Sequence, residues 1–307
     1  MQIYVNEKPE GKKIPLVLEP TNSIDDLKDK LRSIDKRYQD ILALIYDHTS
    51  LEDGKKSLHD YSIQDNATID LYYSFQYLPI YLDIITFDGK SIKLYCDPLT
   101  NIGNIKQYIQ TKFNVPEGLN FVSCHDILQE DKRLNQYYRF SSPIFLAPQP
   151  TPDKKSVIIK LLNGNFRLIE ISQTAIIGDI KSQIQTVENV PANQQRLLFK
   201  DIFLEDQKSI QDYSLPDYPI LLMIPRPGGE DIDISVVYLT NKELLIKADS
   251  KDTIGNLKIM INFIDKHPIN MQCLSYKDVQ LDDDQKTLES YSVVNGAKLN
   301  IVLSYRG

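Results

Sequence analysis

A chain of 307 residues with 42% hydrophobic and 25% charged side chains has the balance of a folded globular protein rather than a disordered one. Its formal charge of −7 speaks against a general nucleic-acid binder, because the basic pairs Lys12-Lys13, Lys55-Lys56 and Lys154-Lys155 are scattered and form no stripe along which a phosphate backbone could run. No run approaches the roughly 20 apolar residues that span a bilayer, and the alternating start Met1-Gln2-Ile3-Tyr4-Val5 lacks the layout of a signal peptide.

After that first alternating run and a loop ending at Gly11, the chain predicts a second strand and then a helix. The helix stripe is Ile24, Leu27, Lys28 and Leu31, with Ser23 before it as a capping candidate. A short apolar strand follows at Ala43-Leu44-Ile45-Tyr46, then a Leu-acid turn at Leu51-Glu52-Asp53-Gly54, then Tyr61 and a last apolar strand. The same order returns three times. Leu82, Ile84 and Ile92, Leu94 flank Asp88-Gly89, and Val157, Ile159 and Ile169, Ile171 flank Asn163-Gly164. Asp-Gly and Asn-Gly between period-two runs signal hairpins, because both turn residues need positive φ. The fourth hairpin turns at Thr240-Asn241-Lys242 without glycine, so its geometry is left open. Further helix stripes lie at Ile102/Ile105/Lys106/Ile109, Ile177/Ile180/Lys181/Ile184 and Ile254/Leu257/Lys258/Ile261, with Asn101, Thr174 and Thr253, or a neighbour of each, as caps.

The helix lysines stand 78, 75 and 77 residues apart, and Tyr61, Tyr137, Tyr213 and Tyr291 stand 76, 76 and 78 apart. Two independent markers thus share one period. Length alone favours about two domains of roughly 150 residues, but this period is too long for most solenoid units and suits a whole small domain. Four domains are expected, at 1–75, 77–148, 155–229 and 231–307, each a strand-strand-helix-strand-strand unit with its helix over one apolar sheet face. Ala147-Pro148-Gln149-Pro150-Thr151-Pro152 reads as a semi-rigid proline spacer.

Met1 to Val5, Leu18-Glu19-Pro20 and Leu51-Glu52-Asp53-Gly54 resemble the opening hairpin and Leu-Glu-Asp-Gly turn of ubiquitin. Val190-Pro191, Gln194-Gln195-Arg196-Leu197-Leu198-Phe199, Leu204-Glu205-Asp206 and Asp212-Tyr213-Ser214 resemble it more closely still. The chain is thus similar to a diverged polyubiquitin. That resemblance implies an α+β class of four tandem β-grasp (ubiquitin-like) domains, each a mixed sheet packed on one helix. It also implies structural ion pairs Lys28–Asp53, Lys106–Glu130, Lys181–Asp206 and Lys258–Asp283, and structural tyrosines at Tyr61, Tyr137, Tyr213 and Tyr291 that tie down the Leu-acid turn.

The family's protein-binding patch, carried over, falls on Leu162, Leu198 and Met223 in the third unit and on Lys8 or Pro9, Ile45 and Tyr72 in the first. Ser123 and Ser275 take its centre in the other two. Leu198 and Met223 either dock a receptor or cover a neighbouring domain; both readings stand at this point. Four residues past the centre come Thr49, Ile127, Ile202 and Val279, and a second acceptor position holds Asp65, Asp217 and Asn295, so chain-building lysines are missing. A processing tail needs flexible glycines. Arg226-Pro227-Gly228-Gly229 resembles one with its basic residue replaced by Pro227, whereas Tyr73-Ser74-Phe75-Gln76-Tyr77 has no glycine and Tyr305-Arg306-Gly307 has one.

Catalytic readings are poor. Cys124 and His125 are neighbours on an expected strand and point to opposite faces, and Cys96 falls at a core position. His48, His59, His125 and His267 are dispersed, there is no glycine-rich phosphate loop, and Asp282-Asp283-Asp284 reads as an exposed turn. No enzyme, metal, cofactor, nucleic-acid, membrane-inserted or small-molecule function is expected. Three widely spaced cysteines suit reduced thiols in a cytoplasmic compartment. With 18 tyrosines able to supply contact area, the expected function is a non-catalytic tandem interaction or structural protein within a multi-subunit, cytoskeletal or other large assembly of proteins. The alternative is a modifier precursor cleaved after Gly229, or a regulator of the ubiquitin and proteasome machinery.

Overall fold

The structure, a computed structural model, describes residues 1–73, 78–123, 126–137 and 143–304. The first domain comprises β1 (Gln2–Glu7), β2 (Lys12–Val17), α1 (Ile24–Ile34), β3 (Ala43–Tyr46), β4 (Thr49–Ser50) and β5 (Thr68–Tyr72). The second comprises β6 (Ile80–Ile85), β7 (Ser91–Cys96), α2 (Ile102–Phe113), β8 (Leu119–Ser123), β9 (Asp126–Ile127) and β10 (Ile144–Pro148). The third comprises β11 (Lys154–Lys160), β12 (Phe166–Ser172), α3 (Ile177–Glu188), β13 (Gln195–Phe199), β14 (Ile202–Phe203) and β15 (Ile220–Pro225). The fourth comprises β16 (Asp231–Tyr238), β17 (Glu243–Asp249), α4 (Ile254–Asp265), β18 (Gln272–Tyr276), β19 (Val279–Gln280) and β20 (Lys298–Leu303).

All four sheets have one strand order, β2-β1-β5-β3-β4 in the first and its counterpart in the others. The first and last strands of each domain pair in parallel and the hairpins are antiparallel, so each sheet is mixed. These are four tandem β-grasp domains. The chain forms two compact units, one of residues 1–86 and 90–147 with the first two sheets, the other of 148–307 with 87–89 and the last two.

Local chemistry explains why the elements start and turn where they do. Ser23 Oγ accepts the Asp26 N–H at 3.1 Å while the Asp26 carboxylate accepts the Ser23 N–H at 2.8 Å, a reciprocal cap on α1. Thr253 Oγ1 accepts the Asn256 N–H at the start of α4. In the third domain the cap position is Ile176, not Thr174; the Asp179 carboxylate takes the Ile176 N–H at 3.0 Å and supplies the cap from inside the helix. The hairpin glycines Gly11, Gly89 and Gly164 have φ of +71°, +79° and +85°, and Asn241 stands in their place at +63°. Asparagine tolerates that left-handed conformation, so the fourth hairpin needs no glycine.

Each helix lays its stripe on its own sheet, and three apolar cores form inside single domains. The fourth core is different. It contains Ile234, Leu257, Ile261 and Leu299 of the fourth domain together with Leu198, Leu222 and Ile224 of the third.

Candidate docking faces and domain junctions

The recurring helix lysine sits against the loop that precedes the tyrosine in the second, third and fourth domains. Lys106 meets Glu130 at 2.6 Å and Lys181 meets Asp206 at 2.5 Å. Lys258 meets Asp284 at 2.7 Å rather than Asp283, and Lys28 approaches Asp25 at 3.8 Å rather than Asp53. The tyrosine hydroxyls explain the offset. They accept the N–H of Asp53, Gln129, Glu205 and Asp283, so the acid one residue later is Glu130, Asp206 or Asp284, and in the first domain that place is Gly54. The loop from leucine to tyrosine is one residue longer in the first and fourth domains, which shifts any count made from the leucine.

The first domain has exchanged the two residue types. Where α2, α3 and α4 carry Gly103, Gly178 and Gly255 packed on the loop, α1 carries Asp25, and a Cβ on Gly54 would lie 2.2 Å from its Oδ1. The carboxylate has moved from loop to helix and the glycine from helix to loop. Gly54→Asp alone is expected to cost about 1–3 kcal/mol by overpacking. With Asp25→Gly added, most of that loss returns, read as thermal midpoints of the two variants. Equal midpoints for single and double variants would refute the exchange.

The outward face of the third sheet is where the structure departs most from a free docking patch. Leu198 and Leu222 are paired in register across β13 and β15, and both belong to the core shared with the fourth domain, with Leu162 packed against it. Leu198 is 1% exposed. Met223 is corrected: it faces inward with Leu197 and Leu221 in the third domain's own core, so the outward positions of β15 belong to Leu222 and Ile224. Neighbours on a strand face opposite ways, and a shift of one residue exchanges the faces. Ser123 is corrected in the same way, because Val122 pairs with Ile127 as Ile45 pairs with Ser50 and therefore holds the central place.

At the edge of that junction Arg196 donates to Asp252 Oδ1 at 2.6 Å, with the acid fully buried. Asp252 Oδ2 also accepts the Asp249 N–H at 2.8 Å. A buried carboxylate without such partners would be very costly, so this pair fixes the fourth domain's position on the third.

In the first domain Ile45 and Tyr72 are buried yet lie outside that domain's own core. Burial pushes the Tyr72 phenol up, with Asp97 next among the causes. Lys8 bridges Asp70 at 3.5 Å and Asp97 at 3.2 Å. The Tyr95 N–H donates to His48 O at 2.8 Å, the Tyr95 hydroxyl to Glu52, and Tyr108 and Lys112 both reach Asp47. Lys112 holds the Asp47 carboxyl below its ordinary range. The second domain therefore seats its β7 and α2 on the outward side of the first, with ion pairs and hydrogen bonds around buried Ile45 and Tyr72.

Gly228 and Gly229 are built into the last junction. Gly228 has φ of +86°, and the Gly229 N–H donates to both oxygens of buried Asp249 at 2.9 and 3.0 Å. A Cβ on Gly229 would meet Asp249 Oδ1 at 2.4 Å and the Lys251 nitrogen at 2.9 Å. Arg226 donates to Asp231 at 2.6 Å. Both glycines have structural reasons, a positive φ and a close approach. The junction Ser74 to Tyr77, the pair Cys124 and His125, and Tyr305 to Gly307 lie outside the described residues.

One Cys–His neighbourhood was not legible in the spacing. Cys96 Sγ lies 3.5 Å from His48 Nδ1, and the His48 ring packs at a tilt against Tyr108, centroids 4.2 Å apart. Burial pushes the thiol up to about 12, the opposite of what a nucleophilic cysteine needs. In the folded protein Cys96 is expected to resist alkylation at pH 8 while exposed Cys273 reacts, as read by peptide mass spectrometry. Rapid labelling of Cys96 would contradict its burial. Among the described residues no group of three or more His, Cys, Asp or Glu could hold a metal ion, and no helix is long and apolar enough to cross a membrane.

Comparison with known proteins returns the ubiquitin family. The model of the ubiquitin family matches residues 3–76, 157–227 and 232–306. Ubiquitin-like protein 4A-A of Salmo salar is 33% identical over 72 residues, 24% of this chain and 47% of that protein. Ubiquitin-like protein 4A-B of Oncorhynchus mykiss is 35% identical over 72 residues, 24% of this chain and 48% of that protein. The chain spans about half the length of the curated relatives it matches. The solution structure of a ubiquitin-like domain from Arabidopsis thaliana aligns with 25% of this chain and 81% of its own at 23% identity, with a TM-score of 0.24.

Proposed function

The chain belongs to the ubiquitin family, and we propose that it is a non-catalytic interaction and structural protein whose domains stay joined in one tandem. The observation that carries this reading is the outward face of the third domain, where Leu198, Leu222 and Ile224 are buried in a core shared with the fourth. A face used in this way serves the chain's own architecture. The remaining surface, with exposed apolar residues such as Tyr81, Phe87 and Val187, contacts other proteins of a larger assembly in the reducing cytoplasm, where Cys273 stays a free thiol.

Gly228-Gly229 favours a second reading, a modifier precursor processed after Gly229. Against it stands the anchoring of Gly229 on Asp249, because a protease cleft must accept an extended, freed segment. Immunoblotting of cell extract separates the two. The tandem reading expects one species that carries all four domains; fragments ending at Gly229 would overturn it.

A further inference from the structure

Asn-Gly occurs twice in the chain, at Asn163-Gly164 and at Asn295-Gly296, and both pairs are exposed. A glycine has no side chain to shield its own nitrogen, so that nitrogen can reach the side-chain amide of the asparagine before it. The two pairs hold that amide in opposite ways.

At the tip of the β11–β12 hairpin, Asn163 Oδ1 accepts the Asn165 N–H at 2.9 Å. A bond from the residue two places on folds the side chain over its own main chain. Cγ therefore lies beside the Gly164 nitrogen, the arrangement that ring closure needs. The same N–H donates to the oxygen on which negative charge develops when Cγ is attacked. Asn295 is turned away from its own main chain. Its Oδ1 accepts the Asp233 N–H of β16 at 2.8 Å, and the Gly296 N–H donates to Asp233 O at 2.7 Å. Attack there gives up two bonds that tie the loop to a strand. At the hairpin tip the attacking nitrogen gives up one, to Leu161 O at 3.0 Å.

We propose that Asn163 is a self-modification site, deamidated through a cyclic imide while Asn295 is spared. The Gly164 nitrogen bonds to Asn163 Cγ, the Cγ–Nδ2 bond breaks, and Nδ2 leaves as ammonia with the proton that Gly164 gave up. Water then opens the imide at either carbonyl, to aspartate or to isoaspartate. Isoaspartate routes the main chain through the former side chain and lengthens the turn by one carbon. That turn is closed by the Leu161 N–H on Asn165 O at 2.8 Å, and Leu162 within it packs against the core shared with the fourth domain. The modification thus loosens the junction of the third and fourth domains from its rim.

The test incubates the full chain at mildly alkaline pH and follows the tryptic peptides of both sites by mass spectrometry. In the folded chain Asn163 is expected to convert at least about tenfold faster than Asn295, and in urea the two should convert alike. Gly164→Asn keeps the turn, because Asn241 holds the same place in the fourth domain with φ of +63° and a Cβ at Gly164 meets nothing within 4 Å. Its side chain shields the nitrogen, so conversion of Asn163 should fall at least about tenfold. The deamidated chain, separated by ion exchange, should melt below the unmodified one. An Asn163 that stays intact, equal rates at the two sites of the folded chain, or a difference that persists in urea overturns the proposal. A deamidated chain with an unchanged melting transition overturns its link to the junction.

Discussion

Asp252→Ala is expected to destabilise the junction of the third and fourth domains by about 3–5 kcal/mol, the usual cost of removing one partner of a buried ion pair. The carboxylate has no exposed surface and does two jobs: Oδ1 accepts from Arg196 at 2.6 Å and Oδ2 accepts the Asp249 N–H at 2.8 Å. Alanine leaves the Arg196 guanidinium in the junction without a counter-charge, hydrogen-bonded to Pro225 O at 3.1 Å and lying over the Phe203 ring. Asp249 is itself the anchor of Gly229, so the linker loosens with it. Asp252→Asn keeps one oxygen, which can accept from the Asp249 N–H or from Arg196 but not from both, so it should recover only part of the loss. Calorimetry checks this order, alanine below asparagine below wild type. An alanine variant with an unchanged transition would show that the pair contributes nothing to the junction.

Leu198→Ala is expected to cost about 2–5 kcal/mol, as for other large-to-small changes in a packed core. What distinguishes it is where the cost falls. Leu197, one residue earlier, belongs to the third domain's own core, and Leu198 to the one shared with the fourth. Leu197→Ala should therefore weaken the third domain and speed exchange of α3 amides. Leu198→Ala should leave α3 protected while the methyl groups of Leu222 and Ile224 gain contact with solvent. If both variants loosened α3 equally, the shared core would not be the home of Leu198.

The fold was written plainly in the sequence because two markers, the helix lysine and the turn tyrosine, repeat at a domain-sized period and each has a structural reason. The faces were harder. Leu221-Leu222-Met223-Ile224 is apolar at every position, so alternation cannot say which residues point outward. That uninterrupted run was itself the available signal that both sides of β15 are covered. A similar signal lies in α4, where Ile259, Met260 and Phe263 add apolar residues off the core stripe, as expected of a helix buried on more than one side. The exchange of Asp25 with Gly54 was visible only by setting the four units side by side. Nothing local pairs Arg196 with Asp252, because 56 residues separate them and only the docking of two domains brings them together.

The claim on which the rest depends is that the third domain's outward face is occupied by the fourth. Methyl NOE spectroscopy of the full chain tests it most directly. Cross-peaks joining the methyl groups of Leu198, Leu222 and Ile224 to methyl groups within residues 231–303 are the expected result. Their absence, together with strong solvent relaxation of those three side chains, would contradict it.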